Sequence, residues 1–169
     1  MTLTPRLRKL ALTAHVTASA VWLGAVVVSL VLAVAGLVIG DTRVVRSVHL
    51  TVDVIAWFIL VPVSIASLLT GVLQSLATRW GLFRHYWVLV KLLVNVLATA
   101  VLLVHTRSLD RTALIAAKET LSDADLLELR SPALLVHAAA ALTALLAAVA
   151  LSVFKPPGMT RYGARKQES

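Results

Sequence analysis

Four runs of almost unbroken hydrocarbon side chains restrict this chain more than any other feature of it. They cover residues 10–39, 54–77, 86–104 and 133–154, and each is bounded by Arg, Lys or Asp. About 20 apolar residues in a helix cross the roughly 30 Å hydrocarbon core of a bilayer. Backbone groups in that core must be bonded within their own segment, so unalternating runs of this length are helices. Hydrophobic residues make up 59% of the sequence and charged ones 14%, which excludes an ordinary soluble domain. The expected fold class is all-α, an integral membrane up-down four-helix bundle in one domain, 1–155. Its helices are expected at about 10–39, 49–78, 85–105 and 132–154.

The N-terminus begins like a secretory signal, with Arg6, Arg8 and Lys9 ahead of an apolar stretch and the small-residue triplet Ala18 to Ala20. The apolar part of a signal is only about 7–15 residues long. This one continues to Ile39 and reads as a retained first helix. The chain has no cysteine, which removes disulfides, thiolate metal sites and covalent haem attachment. Ten of the 16 Lys and Arg fall in the N-terminal segment, the helix 2–3 connection through Lys91 and the C-terminal tail. With four helices those segments share one side, which the positive-inside rule makes cytoplasmic. The expected location is the plasma membrane, multi-pass, with both termini inside. The net charge of +8 is then a topology signal and an attraction to anionic membrane lipids, and not a nucleic-acid footprint.

Short connections favour antiparallel neighbours. The helix 1–2 loop is expected near 40–47. Trp80, Phe83, Tyr86 and Trp87, with Arg79 and Arg84, form an aromatic belt at the helix 2–3 connection. In the loop 106–131, Ser122-x-x-Asp125 resembles a capping box and predicts a short helix at the outer surface. Ser131 and Pro132 are expected as N-cap and first residue of helix 4. The tail, 156–169, is polar and expected to be disordered.

The run from Tyr86 to Val104 contains Lys91, followed one turn later by Asn95. A lysine in a spanning helix costs on the order of 3 kcal/mol unless it snorkels or finds a partner. Projected at about 100° per residue, helix 3 carries Arg84, Trp87, Lys91, Asn95 and His105 along one line. Helix 1 does the same with His15, Ser19, Trp22 and Ser29, and helix 2 with His49, Asp53, Ser67, Gly71 and Gln74. Helix 4 has His137 followed by Ala141, Ala144 and Ala148. Such stripes face a bundle interior, because lipid satisfies none of these groups. Depth sorts them into two layers. At 1.5 Å per residue His15 lies about 9 Å past Lys9, and Lys91 about 10 Å past Arg84, in the cytoplasmic half. His49, Asp53, His105 and His137 lie in the outer quarter. Each residue also has a packing role open to it: Lys91 by snorkelling, His15 by bonding a neighbouring hydroxyl, the Ala face of helix 4 by close helix contact.

The segments "AHVTASAVWLGAV", "LLTGVLQ" and "HYWVLVKLLVNVLATAVLLVH" resemble the CopD-like superfamily of small bacterial membrane proteins, and most of all the uncharacterised DUF2269 family. The likeness covers helices 1 to 3, about 90 residues. More distant members are the copper-resistance D proteins and the HemJ-type protoporphyrinogen oxidases, which bind haem b. The oxidases share a helix-1 His followed by Trp-x-Gly, matched here by His15, Trp22 and Gly24. They also share a helix-3 Trp-x-x-x-Lys, matched by Trp87 and Lys91. The resemblance implies that His15 is an axial haem ligand and Lys91 a functional neighbour. After "WLGAV", however, "VVSLVLAVAG" lacks the basic and aromatic residues of the oxidases, which argues against porphyrinogen oxidation and leaves catalytic residues unassigned.

Three readings follow. The first is haem b inside the bundle, with His15, Lys91, Trp22, Asn95 and His137 as cofactor-binding residues and a quinone or other redox partner. The second is copper, or another transition metal, held at the outer face by His49, Asp53, His105 and His137, donors that suit Cu(II) or Zn. The third is a membrane scaffold whose polar stripes specify helix packing.

Overall fold

The computed structural model describes residues 4–77 and 82–165. The belt residues Arg79 and Trp80 lie outside them. Helix α1 (Pro5–Val38) opens with Thr4, whose hydroxyl accepts from Leu7 N, and with Pro5 in the first turn. Only three residues, 39–41, separate it from α2 (Thr42–Ile55), because Asp41 Oδ1 accepts from Arg43 N at 2.8 Å and caps the new helix there. The helix therefore starts at Thr42, not 49: Val45, Val48 and Val52 make a buried stripe while Arg43 and Ser47 stay exposed.

A π turn, Ala56–Leu60, joins α2 to α3 (Val61–Ala77) in one continuous span. Pro62 explains it. Proline has no N–H to donate, and its ring crowds the carbonyl four residues back. The helix widens instead, and Val61 N reaches Ala56 O. The wide turn also breaks the uniform rotation that puts His49, Asp53, Ser67 and Gly71 on one line. Before it Asp53 faces Asp110 of the third span; after it Ser67 and Gly71 face His15 of α1.

The third span, α4 (Tyr86–Ala116), continues eleven residues past the expected end at 105. Its 31 residues make about 46 Å at 1.5 Å each, longer than the roughly 30 Å core. The far end protrudes, with Leu109, Ala113 and Ala116 buried and Arg107 and Arg111 exposed. The short helix α5 (Asp123–Leu129) has the expected capping box, Ser122 Oγ accepting from Asp125 N and Asp125 Oδ2 from Ser122 N. The fourth span is α6 (Ala133–Phe154). Pro132 occupies its N-cap position and Ser131 Oγ accepts from Ala133 N, one residue out of the expected register.

The four spans form an up-down bundle in which α1 packs on α2, α3 and α6, and α4 packs on the same three. Helices α1 and α4 are therefore diagonal. Trp22, Val26, Val52, Leu60, Leu109 and Leu145 lie in the central core. A smaller core of Val45, Ile115, Ala116 and Leu129 holds the protruding end together. There Arg46 donates to the carbonyls of Ala116 and Lys118, and Arg130 to that of Gly40. A cation on the last carbonyls of a helix also opposes its dipole.

Residues 156–165, expected to be disordered, are folded against the opposite end. Thr160 N donates to Arg84 O at 2.9 Å, Tyr86 N to Gly158 O, and a five-residue helix, α7 (Arg161–Arg165), follows. Gly163 lies so close that a Cβ there would come within 2.5 Å of Arg84 O. The tail and the connection ahead of α4 thus share one end of the bundle. The start of α1 is at that end too, since Gln74 donates to Ala11 O.

Candidate functional site

The interior holds two polar layers. At the end shared by the tail and the start of α1, His15 projects from α1 onto α3. Its Nδ1 lies 3.1 Å from Ser67 O and 3.2 Å from Thr70 Oγ1. A carbonyl only accepts, so Nδ1 carries the proton and Nε2 the lone pair. Thr70 in turn donates to Ala66 O, which leaves its oxygen free to accept. Gly71 supplies the seat for the ring, since a Cβ there would stand 3.1 Å from His15 Cε1. Ser19 and Ser67 bond each other at 2.8 Å one turn further in. Ser67 and Gly71 are on the sequence-derived stripe of helix 2; Thr70 is not, and only the seating of the ring reveals it.

Lys91 stands across the bundle on α4, half-buried and within electrostatic reach of His15. Every described Asp and Glu belongs to the other end of the molecule, so no described carboxylate neutralises it. Asn95 is buried one turn on, its amide donating back to Lys91 O. Trp22 is 3% exposed and packs in the central core beyond this layer.

His137 is not part of this group. It stacks on His105 with ring centroids 3.9 Å apart and planes within 9°. His105 is 14 residues beyond Lys91, about 21 Å along the helix. The five residues expected to bind one cofactor are thus divided between two depths.

The expected outer metal set is divided as well. His49 donates from Nε2 to Leu129 O at 2.8 Å, leaving Nδ1 buried without a partner. Asp53 lies against Asp110, two carboxyls that bond only through a shared proton, and Asp110 accepts from Trp57 Nε1 at 2.7 Å. Stacked imidazoles direct their lone pairs along their own planes and not towards each other. Among the described residues no three His, Asp or Glu side chains gather at metal-binding range.

Between α4 and α6, reaching back to Trp22, Val52 and Leu60, lies a cavity of about 330 Å³. Its wall is almost wholly apolar. His105 and His137 mark one end, and neither His15 nor Lys91 lines it. No family model, curated protein or solved structure matches the chain.

Proposed function

We propose that this is a plasma-membrane protein with both termini cytoplasmic, which holds haem b against His15 in the inner half of its bundle. One observation carries the reading. His15 has its Nδ1 proton committed to Ser67 O and Thr70 Oγ1, so that Nε2 is fixed as a lone-pair donor. Metal-bound histidines are held in this way, with the second ring nitrogen donating to a carbonyl that sets tautomer and orientation. The charge balance agrees. Lys91 is a half-buried cation with no described carboxylate beside it, and a propionate would supply one. Haem, when bound, contributes one-electron redox chemistry whose potential depends on axial ligand, burial and hydrogen bonding. The chain's own part is to orient His15, to compensate charge through Lys91 and to exclude water with the core around Trp22. His137, at the other depth, has no part in it.

Copper at the outer face has less behind it, because His49, Asp53 and the His105–His137 pair engage different partners. The test is a visible spectrum of protein produced with ample haem supply. A Soret band is expected, lost or shifted in His15→Ala and retained in His105→Ala. A colourless wild-type protein would refute the haem reading and leave His15 as a packing residue.

A further inference from the structure

The folded segment 156–165 takes no part in either polar layer of the interior. Tyr86 N donates to Gly158 O and Thr160 N to Arg84 O, so the segment meets α4 at its first residue. Thr160 is buried, and its hydroxyl donates to Phe83 O and accepts from Gly163 N. The large apolar side chains along this seam are open all the same: Phe83, Tyr86, Phe154 and Met159 are exposed. At the ends of spanning helices such side chains lie at headgroup level, as an aromatic belt does. The segment is therefore pinned at the membrane interface.

Helix α7 has two unlike faces. Gly163 is buried against Arg84 O. Arg161 and Arg165 each stand two residues from it, on roughly the opposite side of the helix at about 100° per residue, and both are exposed. They are four residues apart on one face, where like charges repel and weaken a helix. Five residues are too few to hold a helix without outside support. No described carboxylate relieves the repulsion, because every described Asp and Glu belongs to the other end of the molecule, whereas Arg6, Arg8 and Lys9 are exposed at this one.

We infer that α7 is an interfacial anchor, whose Arg161 and Arg165 bind the headgroup phosphates of anionic phospholipid in the leaflet beside them. Three features select this partner. A guanidinium matches phosphate oxygens with paired donors. The seam with Tyr86 sets the helix level with the headgroups, so phosphates are the anions within its reach. Exposed Phe154 and Met159 next to the arginines find acyl chains there, where a soluble acidic partner would leave them in water. A bound phosphate cancels the repulsion between the two arginines and supplies the support that a helix this short lacks. This anchor depends on the bundle spanning a membrane and not on haem at His15.

Hydrogen exchange of the backbone amides of 158–165, read by mass spectrometry on the full chain in nanodiscs, tests this. Discs of phosphatidylcholine alone are compared with discs that also contain phosphatidylglycerol. The anionic discs are expected to slow exchange over this segment by roughly tenfold, and high salt should shrink the difference. Arg161→Gln combined with Arg165→Gln should remove the slowing without speeding exchange in phosphatidylcholine. Arg43→Gln combined with Arg107→Gln changes the net charge equally at the outer end and should keep the slowing. Equal exchange in the two discs, slowing that survives in the α7 variant as surface acidity alone would produce, or its loss in the outer-end variant would overturn the anchor. So would faster exchange of the α7 variant in phosphatidylcholine, which would mean that the arginines hold the segment through the protein. The same slowing by inorganic phosphate in detergent would overturn it in favour of a free anion.

Discussion

At the inner end His15, Ser19, Ser67 and Thr70 bond one another and the carbonyls of α3, all within the thickness of the bundle. At the outer end Arg46, His49 and Arg130 leave their own helices to bond carbonyls of Ala116, Leu129 and Gly40. The inner groups have no water to turn to, so they face inward and satisfy one another. The outer segments protrude past the hydrocarbon, where charged side chains reach across to other elements and a small apolar core forms as in a soluble protein. All described acidic residues belong to that outer end. One sequence thus folds by two sets of rules, divided by depth.

If the outer end is a soluble-type core, the largest effect should come from charging it. Val45 is 0% exposed, and Val45→Asp buries an unpaired carboxylate at a cost of about 4 kcal/mol or more. Limited proteolysis should then cut within 117–131 while the environment of His15 is unchanged; equal damage to both ends would show that they are one cooperative unit. Next comes the seat of His15. Gly71→Val places methyl groups where the ring lies, an overpacking cost of about 1–3 kcal/mol, and should displace the ring. Thermal unfolding in detergent, with the haem content where haem is bound, reads this out. An unaffected protein would mean that the seat is slack.

Arg46→Ala removes two charge-assisted bonds at the end of α4 and should cost about 2 kcal/mol, measured by denaturant unfolding with the inner layer as the undisturbed reference. The smallest effect is expected from Gly163→Val, which drives a side chain into Arg84 O and should release the tail. Trypsin should then cut after Arg161, with global stability lowered by less than about 1 kcal/mol, as for other peripheral segments. A large loss of stability would make the tail part of the bundle.

Hydropathy made the four spans legible, because lipid demands long apolar runs. It did not show where the helices end. Residues 42–48 and 106–116 are helical, but they carry Arg43, Arg46, Arg107 and Arg111 outside the hydrocarbon, and a scale that reads lipid contact takes them for loops. Counting residues from the flanking charges placed His105 and His137 in one layer, which is where they stack. It also placed His49 and Asp53 there, but their partners depend on α5 and Asp110, whose positions no periodicity of α2 encodes. The tail was hidden for a related reason: it is held by backbone bonds to Arg84 and Tyr86, and such bonds leave no side-chain signature.

The π turn ahead of Pro62 has a consequence for the length of the second span. One extra residue within a turn advances everything after it by about 100°, so this span changes the neighbour it addresses halfway across the membrane. Asp53 is set for α4 and Ser67 for α1 by the same inserted step. A one-residue deletion in the regular turn that follows, within 63–66, would therefore act as a phase error and hardly as a shortening. The helix would still be long enough to cross, but its inner half would turn Ser67 and Gly71 away from His15 and bring another face of α3 towards the ring.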